Sequence, residues 1–232
     1  RAVWTLSMRV RVSLAAPSMN FMKKSVFYLI TIFISSLIGL YAFESYLVFN
    51  NLEKTNIQNI IEKMDLLKEN KKNKITIRPS LNIKNKKIDL FPLSGFSDSR
   101  TINCNENGYY SIYQSDRYGF NNPDENWDSD EIEFLLIGDS FTHGSCVNRP
   151  DDIASVLGKL SNKNVINLGY NANGPLIELA SLKEYWLKNT KKILWIYYEG
   201  NDLYNLSNEI KSPILKRYLL EPGFKQNLKT KQ

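Results

Sequence analysis

Hydrophobic and polar positions along this chain fall into three regimes. From Ser25 to Phe43 no charged residue occurs, and Lys23 and Lys24 stand just before. That run approaches the roughly 20 residues needed to cross the hydrocarbon of a bilayer. It predicts one transmembrane helix over residues 25–48, amino end cytoplasmic and the remainder outside, because positive residues stay on the cytoplasmic side. A signal peptide is the rival, but its apolar core usually spans roughly 7–15 residues and no clean Ala-x-Ala follows. A buried core helix would rarely be so apolar all round. Residues 49–90 are rich in Lys, Asn and Glu, and read as a stalk or linker. Within it Ile57, Ile60, Ile61, Met64 and Leu67 recur at helical spacing, predicting a stalk helix with one apolar stripe. The runs Lys68–Lys74 and Lys84–Lys87 read as solvated faces.

The third regime alternates. Phe134–Gly138, Val165–Leu168 and Ile193–Tyr198 are short apolar runs that read as strands. Between them, about Asp151 to Leu160 and Pro175 to Lys188 have helical character, the latter through Leu176, Leu179, Ala180, Leu182 and Trp186. Strand alternating with helix predicts a parallel sheet covered on both faces. Trp186, Trp195, Tyr197 and Tyr198 read as helix face and strand core. Ligands of such sheets bind beyond the carboxyl ends of the strands, and each run here ends there in polar residues. The first ends in Gly138-Asp139-Ser140, the second in Gly169-Tyr-Asn-Ala-Asn-Gly174, and the third in Glu199-Gly200-Asn201-Asp202. A serine where a strand gives way to a helix suits a nucleophile, with backbone N–H groups at hand for an oxyanion. The spacing is not Gly-x-Ser-x-Gly, since Thr142 occupies the second glycine's place.

These three blocks, in this order and at this spacing, resemble the SGNH (or GDSL) hydrolases over about Glu131 to Asn205. The resemblance implies a three-layer α/β/α, flavodoxin-like parallel sheet, preceded here by one transmembrane helix. It carries Ser140 over as nucleophile, Gly174 as an oxyanion donor through its N–H (Gly169 is the competing alignment), and Asn201 as a second donor through its amide. Glu199 stands where the third block usually has its first glycine. Asp116-Arg-Tyr-Gly-Phe-Asn121 is similar to the lead-in of membrane-linked members associated with cell-surface polysaccharide. The implied activity is acyl-ester hydrolysis or O-acyl transfer outside the cytoplasm (the periplasm in a Gram-negative bacterium), on an acylated small molecule or polysaccharide. No cofactor or metal is implied. A catalytically inactive, membrane-tethered binding or assembly protein on the same scaffold is the alternative.

The family's closing Asp-x-x-His block has no counterpart after Asn205, so the partial hydrolase domain, residues 131–232, is expected to be incomplete at its carboxyl end, and the chain as it stands nearly inactive. The single histidine, His143, lies three residues after Ser140. It reads either as a base brought round by one helical turn or as a polar residue of that turn. At the other end Arg1 replaces an initiating methionine, and Met19-Asn-Phe-Met-Lys-Lys24 makes a more natural start. Residues 1–24 therefore read as a cytoplasmic or untranslated segment.

Charge adds little. The net +6 comes substantially from the region beside the membrane helix, where anionic headgroups explain it as well as nucleic acid does. No nucleic-acid motif accompanies it, and nucleic-acid binding is discarded. Cys104 and Cys146 lack metal-ligand spacing. Outside the cytoplasm they can pair, or remain two separate thiols. Residues 91–130, with Tyr109, Tyr110, Tyr113, Tyr118 and Phe120 among glycines and prolines, read as a cap or sugar-stacking surface, or as a lead-in packed against the domain.

Overall fold

The computed structural model describes residues 19–70, 72–85, 88–106 and 108–231, without the side chains of 19–22 and 50–58. The predicted untranslated segment, apart from residues 19–24, lies outside the described residues, as does the Ile57 side chain. The chain divides into two compact units, one ending at Gln58 and the other Asn59–Gln232.

Helix α1 spans Met19–Glu69, 51 residues. Its stretch Lys23–Phe49 is long and apolar enough to cross a membrane, at 27 residues and a mean hydropathy of 2.1. At 1.5 Å per residue this reaches about 40 Å, more than the ~30 Å of a hydrocarbon core. The predicted anchor and stalk are thus one uninterrupted helix, since no Pro or Gly falls between Phe43 and Glu69 to break it. Ile60, Ile61 and Met64 of the expected stripe are exposed.

The second unit is mixed α/β. Strand β1 (Lys74–Ile75) pairs in parallel with β2 (Arg100–Ile102), which pairs antiparallel with β3 (Ile112–Gln114). A second sheet has the order β5-β4-β6, all parallel, from β4 (Ile132–Gly138), β5 (Val165–Asn167) and β6 (Thr190–Ile196). Helices α2 (Ser140–His143) and α3 (Ile153–Ser161) lie between β4 and β5, and α4 (Pro175–Tyr185) between β5 and β6. Helices α5 (Asp202–Glu209) and α6 (Pro213–Leu220) follow. Alternation along β4 sends Leu135 and Ile137 into a core with Leu176, Ile177 and Ala180 of α4 and Leu215 of α6. Leu136 and Phe134 join Ala154 and Leu157 of α3 instead. The central strand is therefore apolar on both faces, as its continuous hydrophobic run predicts.

Strand β6 departs from expectation. It has β4 on one side and no described strand on the other. Trp195 is 55% exposed, and Tyr197, Tyr198 and Trp186 are exposed as well. These aromatics are not core, although Trp195 Nε1 reaches Glu178 of α4 at 2.6 Å and the Tyr198 ring lies against Phe141 at 5.0 Å.

The segment before β4 is a buttress. Phe91, Leu93, Phe120 and Trp127 belong to the main core. Asp116, fully buried, accepts bonds from Tyr118 N–H (2.8 Å), Phe120 N–H (2.9 Å), Asn122 Nδ2 (2.8 Å) and Trp127 Nε1 (2.7 Å). Burial pushes its pKa up and the four donors oppose that rise. Tyr113 and Phe120 are buried, and the Tyr118 ring lies edge-on to Trp127 at 4.7 Å, so the packing reading of this segment holds for them. At the far end Gln226 bonds both backbone groups of Phe91, taking its N–H at 2.7 Å and donating to its carbonyl at 3.0 Å. Cys104 and Cys146 form a disulfide.

Candidate active site

Gly138 closes β4 where no side chain fits. A Cβ there would lie 2.0 Å from Thr142 Oγ1 and 2.8 Å from the Ile196 carbonyl. Backbone can therefore turn sharply into α2, with Asp139 as its N-cap; the Asp139 carboxylate takes the Phe141 N–H at 2.9 Å. Ser140 is thereby the first residue of that helix, half-buried. Carbonyls at the other end of this short helix are also satisfied: Asn167 Nδ2 donates to the Thr142 carbonyl (2.6 Å) and Asn121 Nδ2 to that of His143 (3.1 Å).

The second oxygen of Asp139 faces Asn201, whose Nδ2 donates to it at 3.4 Å. One buried carboxylate thus links the turn carrying Ser140 to the loop after β6. Asn201 keeps one amide hydrogen for another acceptor, and its Oδ1 is buried without a partner. Ser140 and Asn201 line one cavity of about 560 Å³, together with Asn171, Ala172 and both cysteines.

Gly174 does not line this cavity. Its N–H donates to Glu209 Oε1 at 2.6 Å, while Glu209 Oε2 accepts from Leu176 N–H (2.9 Å) and Ile177 N–H (3.3 Å). Glu209 therefore caps α4 in place of a glycine that has no side chain to do so. Gly169, the competing position, donates its N–H to Asn167 Oδ1 at 2.8 Å. Both glycine donors are committed elsewhere. Ala172 stands where they were expected: it lines the cavity, and its N–H donates to no acceptor among the described residues. Its φ of +58° is a left-handed conformation that costs a non-glycine residue roughly 1 kcal/mol. Outliers of this kind concentrate at functional loops.

His143 holds that loop. It is fully buried, stacked on Tyr170 at 4.6 Å and edge-on to Tyr113 at 5.2 Å. Its Nδ1 donates to Asn171 Oδ1 at 2.8 Å, leaving Nε2 a buried acceptor without a partner. Ser145 Oγ bonds the same amide oxygen, and Asn171 Nδ2 donates to Asn103 Oδ1 at 2.7 Å. Burial pulls the imidazole down to a pKa of about 4, against the Asn171 bond that raises it. It does not line the cavity, and Ser140 Oγ has no hydrogen-bond partner among the described residues. The histidine of this turn braces the loop that presents Ala172.

Two further carboxyls lie buried close by. Burial pushes Glu178 up to about 8, with Asp202, Glu209 and Asp139 adding to the rise and the Trp195 N–H (2.6 Å) opposing it. Glu209 rises to about 7 through burial, despite its three backbone donors. The sequence carried no sign of either role, nor of Asp139 as a bridge or Ala172 as a strained residue.

Comparisons of the chain with protein-family models, with curated proteins and with solved structures return no match.

Proposed function

We propose that this protein is a serine-dependent acyl-ester hydrolase or O-acyltransferase of SGNH type, anchored by α1 with its second unit outside the cytoplasm, acting on an acylated glycan. The observation that carries this reading is the meeting of Ser140 and Asn201, from the tips of two adjacent parallel strands, on one open cavity. Ser140 Oγ attacks the ester carbonyl carbon, losing its proton to a base. The negative oxygen that forms is held by the Ser140 N–H, the Asn201 amide and the Ala172 N–H. Collapse expels the alcohol and leaves an acyl-serine, which water or a sugar hydroxyl then takes up. The three-layer, flavodoxin-like arrangement is supported by the β5-β4-β6 order, with the site at the carboxyl ends of β4 and β6. An oxidising compartment is supported by the Cys104–Cys146 bond.

A second reading, the tethered binding protein without turnover, is favoured by one fact: Ser140 has no base beside it among the described residues. Two measurements on the protein separate the readings. In the enzyme reading a fluorophosphonate labels Ser140 and not Ser140→Ala, and Asn201→Ala slows acetyl-ester turnover about 10²–10³-fold, the usual cost of one oxyanion donor. No labelling, or labelling that survives Ser140→Ala, leaves the binding reading.

A further inference from the structure

A second cavity, of about 650 Å³, adjoins the first: Arg78 and Ala172 line both. Its walls add Lys84, Lys211, Tyr204 and Asn208. None of its three cations forms an ion pair with a described residue; Lys211 Nζ donates to Asn208 Oδ1 at 2.7 Å. The one carboxyl in the lining, Glu209, is buried and turned to the start of α4. Tyr204 is 71% exposed, a free aromatic face of the sort on which a pyranose ring stacks. The Ser140 cavity is acidic on balance, with Glu106, Asp151 and Asp152 in its walls against the shared Arg78. An anion is therefore drawn to the outer cavity and kept from the inner one.

We propose that the outer cavity binds a carboxylate-bearing stretch of glycan, so that a neighbouring acylated sugar of the same polymer reaches Ser140. The substrate class is thus an acylated acidic polysaccharide, and the proposal rests on the ester reading given above. Arg78, Lys84 and Lys211 hold the polymer by charge while Tyr204 and the Asn208 amide meet ring and hydroxyls. Such exposed contacts are individually weak and screened by salt, so several must act together.

The test is direct binding to the full chain in nonionic detergent, with hexagalacturonate and neutral maltohexaose as probes. Hexagalacturonate is expected to bind at least tenfold more tightly than maltohexaose at 50 mM salt and to lose most of that advantage at 500 mM. The variant Arg78→Glu/Lys84→Glu/Lys211→Glu is expected to remove the preference, and Tyr204→Ala to weaken both sugars severalfold. Equal binding of the two probes, or a preference indifferent to salt, overturns the proposal on the unaltered chain alone, whatever the variants do. Competition of hexagalacturonate by glycerophosphoglycerol at equal concentration would mark a lipid-headgroup pocket and also overturn it. Fluorophosphonate labelling of Ser140, run separately, tells failure of the ester reading apart from failure of this one.

Discussion

Replacing Glu209 by alanine tests how the site's scaffold is held. Gly174 opens α4 with no capping side chain, Pro175 has no N–H, and the N–H groups of Leu176 and Ile177 have no partner within the helix. Glu209, the last residue of α5, satisfies the N–H groups of Gly174, Leu176 and Ile177 at 2.6, 2.9 and 3.3 Å respectively. A buried donor left unsatisfied costs about 1–3 kcal/mol. The 3.3 Å bond belongs at the bottom of that range, and water entering the vacated space recovers part of the rest. Glu209→Ala is therefore expected to destabilise the second unit by about 3–5 kcal/mol. At about 2–4 °C per kcal/mol for a unit of this size, the melting temperature should fall by roughly 10 °C. Buried Trp127 offers a fluorescence reporter for the melt in detergent, best run near pH 5.5, below the raised pKa of about 7, where the cost of burying the charge does not offset the three bonds. Glu209→Gln keeps one acceptor oxygen and should lose about half as much. A Glu209→Ala melt within about 2 °C of the parent would refute the capping role and return the Gly174 N–H to candidacy as an oxyanion donor.

Two more expectations follow from the buried groups. Glu178 keeps its proton in the folded unit to about pH 8, against 4.5 ordinarily. The stability it contributes is full below about pH 4.5 and lost as pH rises through 8, by about 5 kcal/mol at most. Buried His143, lowered to about 4, acts in the opposite sense, costing stability as pH falls below 6.5. Comparing Glu178→Gln with the parent between pH 6.5 and 8.5 isolates the glutamate: both melting temperatures should drop with pH, because Glu209 titrates in each, but the parent's should drop more steeply, and parallel curves would sink the assignment. The disulfide closes a loop between positions 42 apart, which by chain entropy stabilises the fold by about 4 kcal/mol. Cys104→Ser/Cys146→Ser should melt lower accordingly, and alkylation of the unreduced parent should add no mass.

What was legible in the sequence follows the range of the forces involved. The strands of the parallel sheet appear as apolar runs because β4 is covered on both faces, and their polar ends marked Ser140 and Asn201 correctly as neighbours on one cavity. Gly174 looked like a bare amide because its acceptor lies 35 residues further on, in α5. Ala172 left no trace, since alanine carries no preference for the φ of +58° it adopts beside Asn171. Nearness to a serine suggested a base at His143, but the ring is buried between two tyrosines. Trp195 and Tyr197 were taken for core because hydrophobicity along β6 does not reveal whether anything covers it. Anchor and stalk looked separate because composition changes near Phe49 while helix propensity does not.

The clasp of Gln226 on Phe91 spans 135 positions and bears on how the protein can be taken apart. A piece begun at Glu131 would carry every candidate reactive group yet lack Phe91, Leu93, Phe120 and Trp127, a whole wall of the interior. Asp116 and its four donors would go with them, and Asn122 with its hold on both backbone groups of Asn167. Severing the membrane-length helix from the working part is thus feasible only on the amino side of Phe91. The tyrosine-rich stretch in between is keel rather than tether.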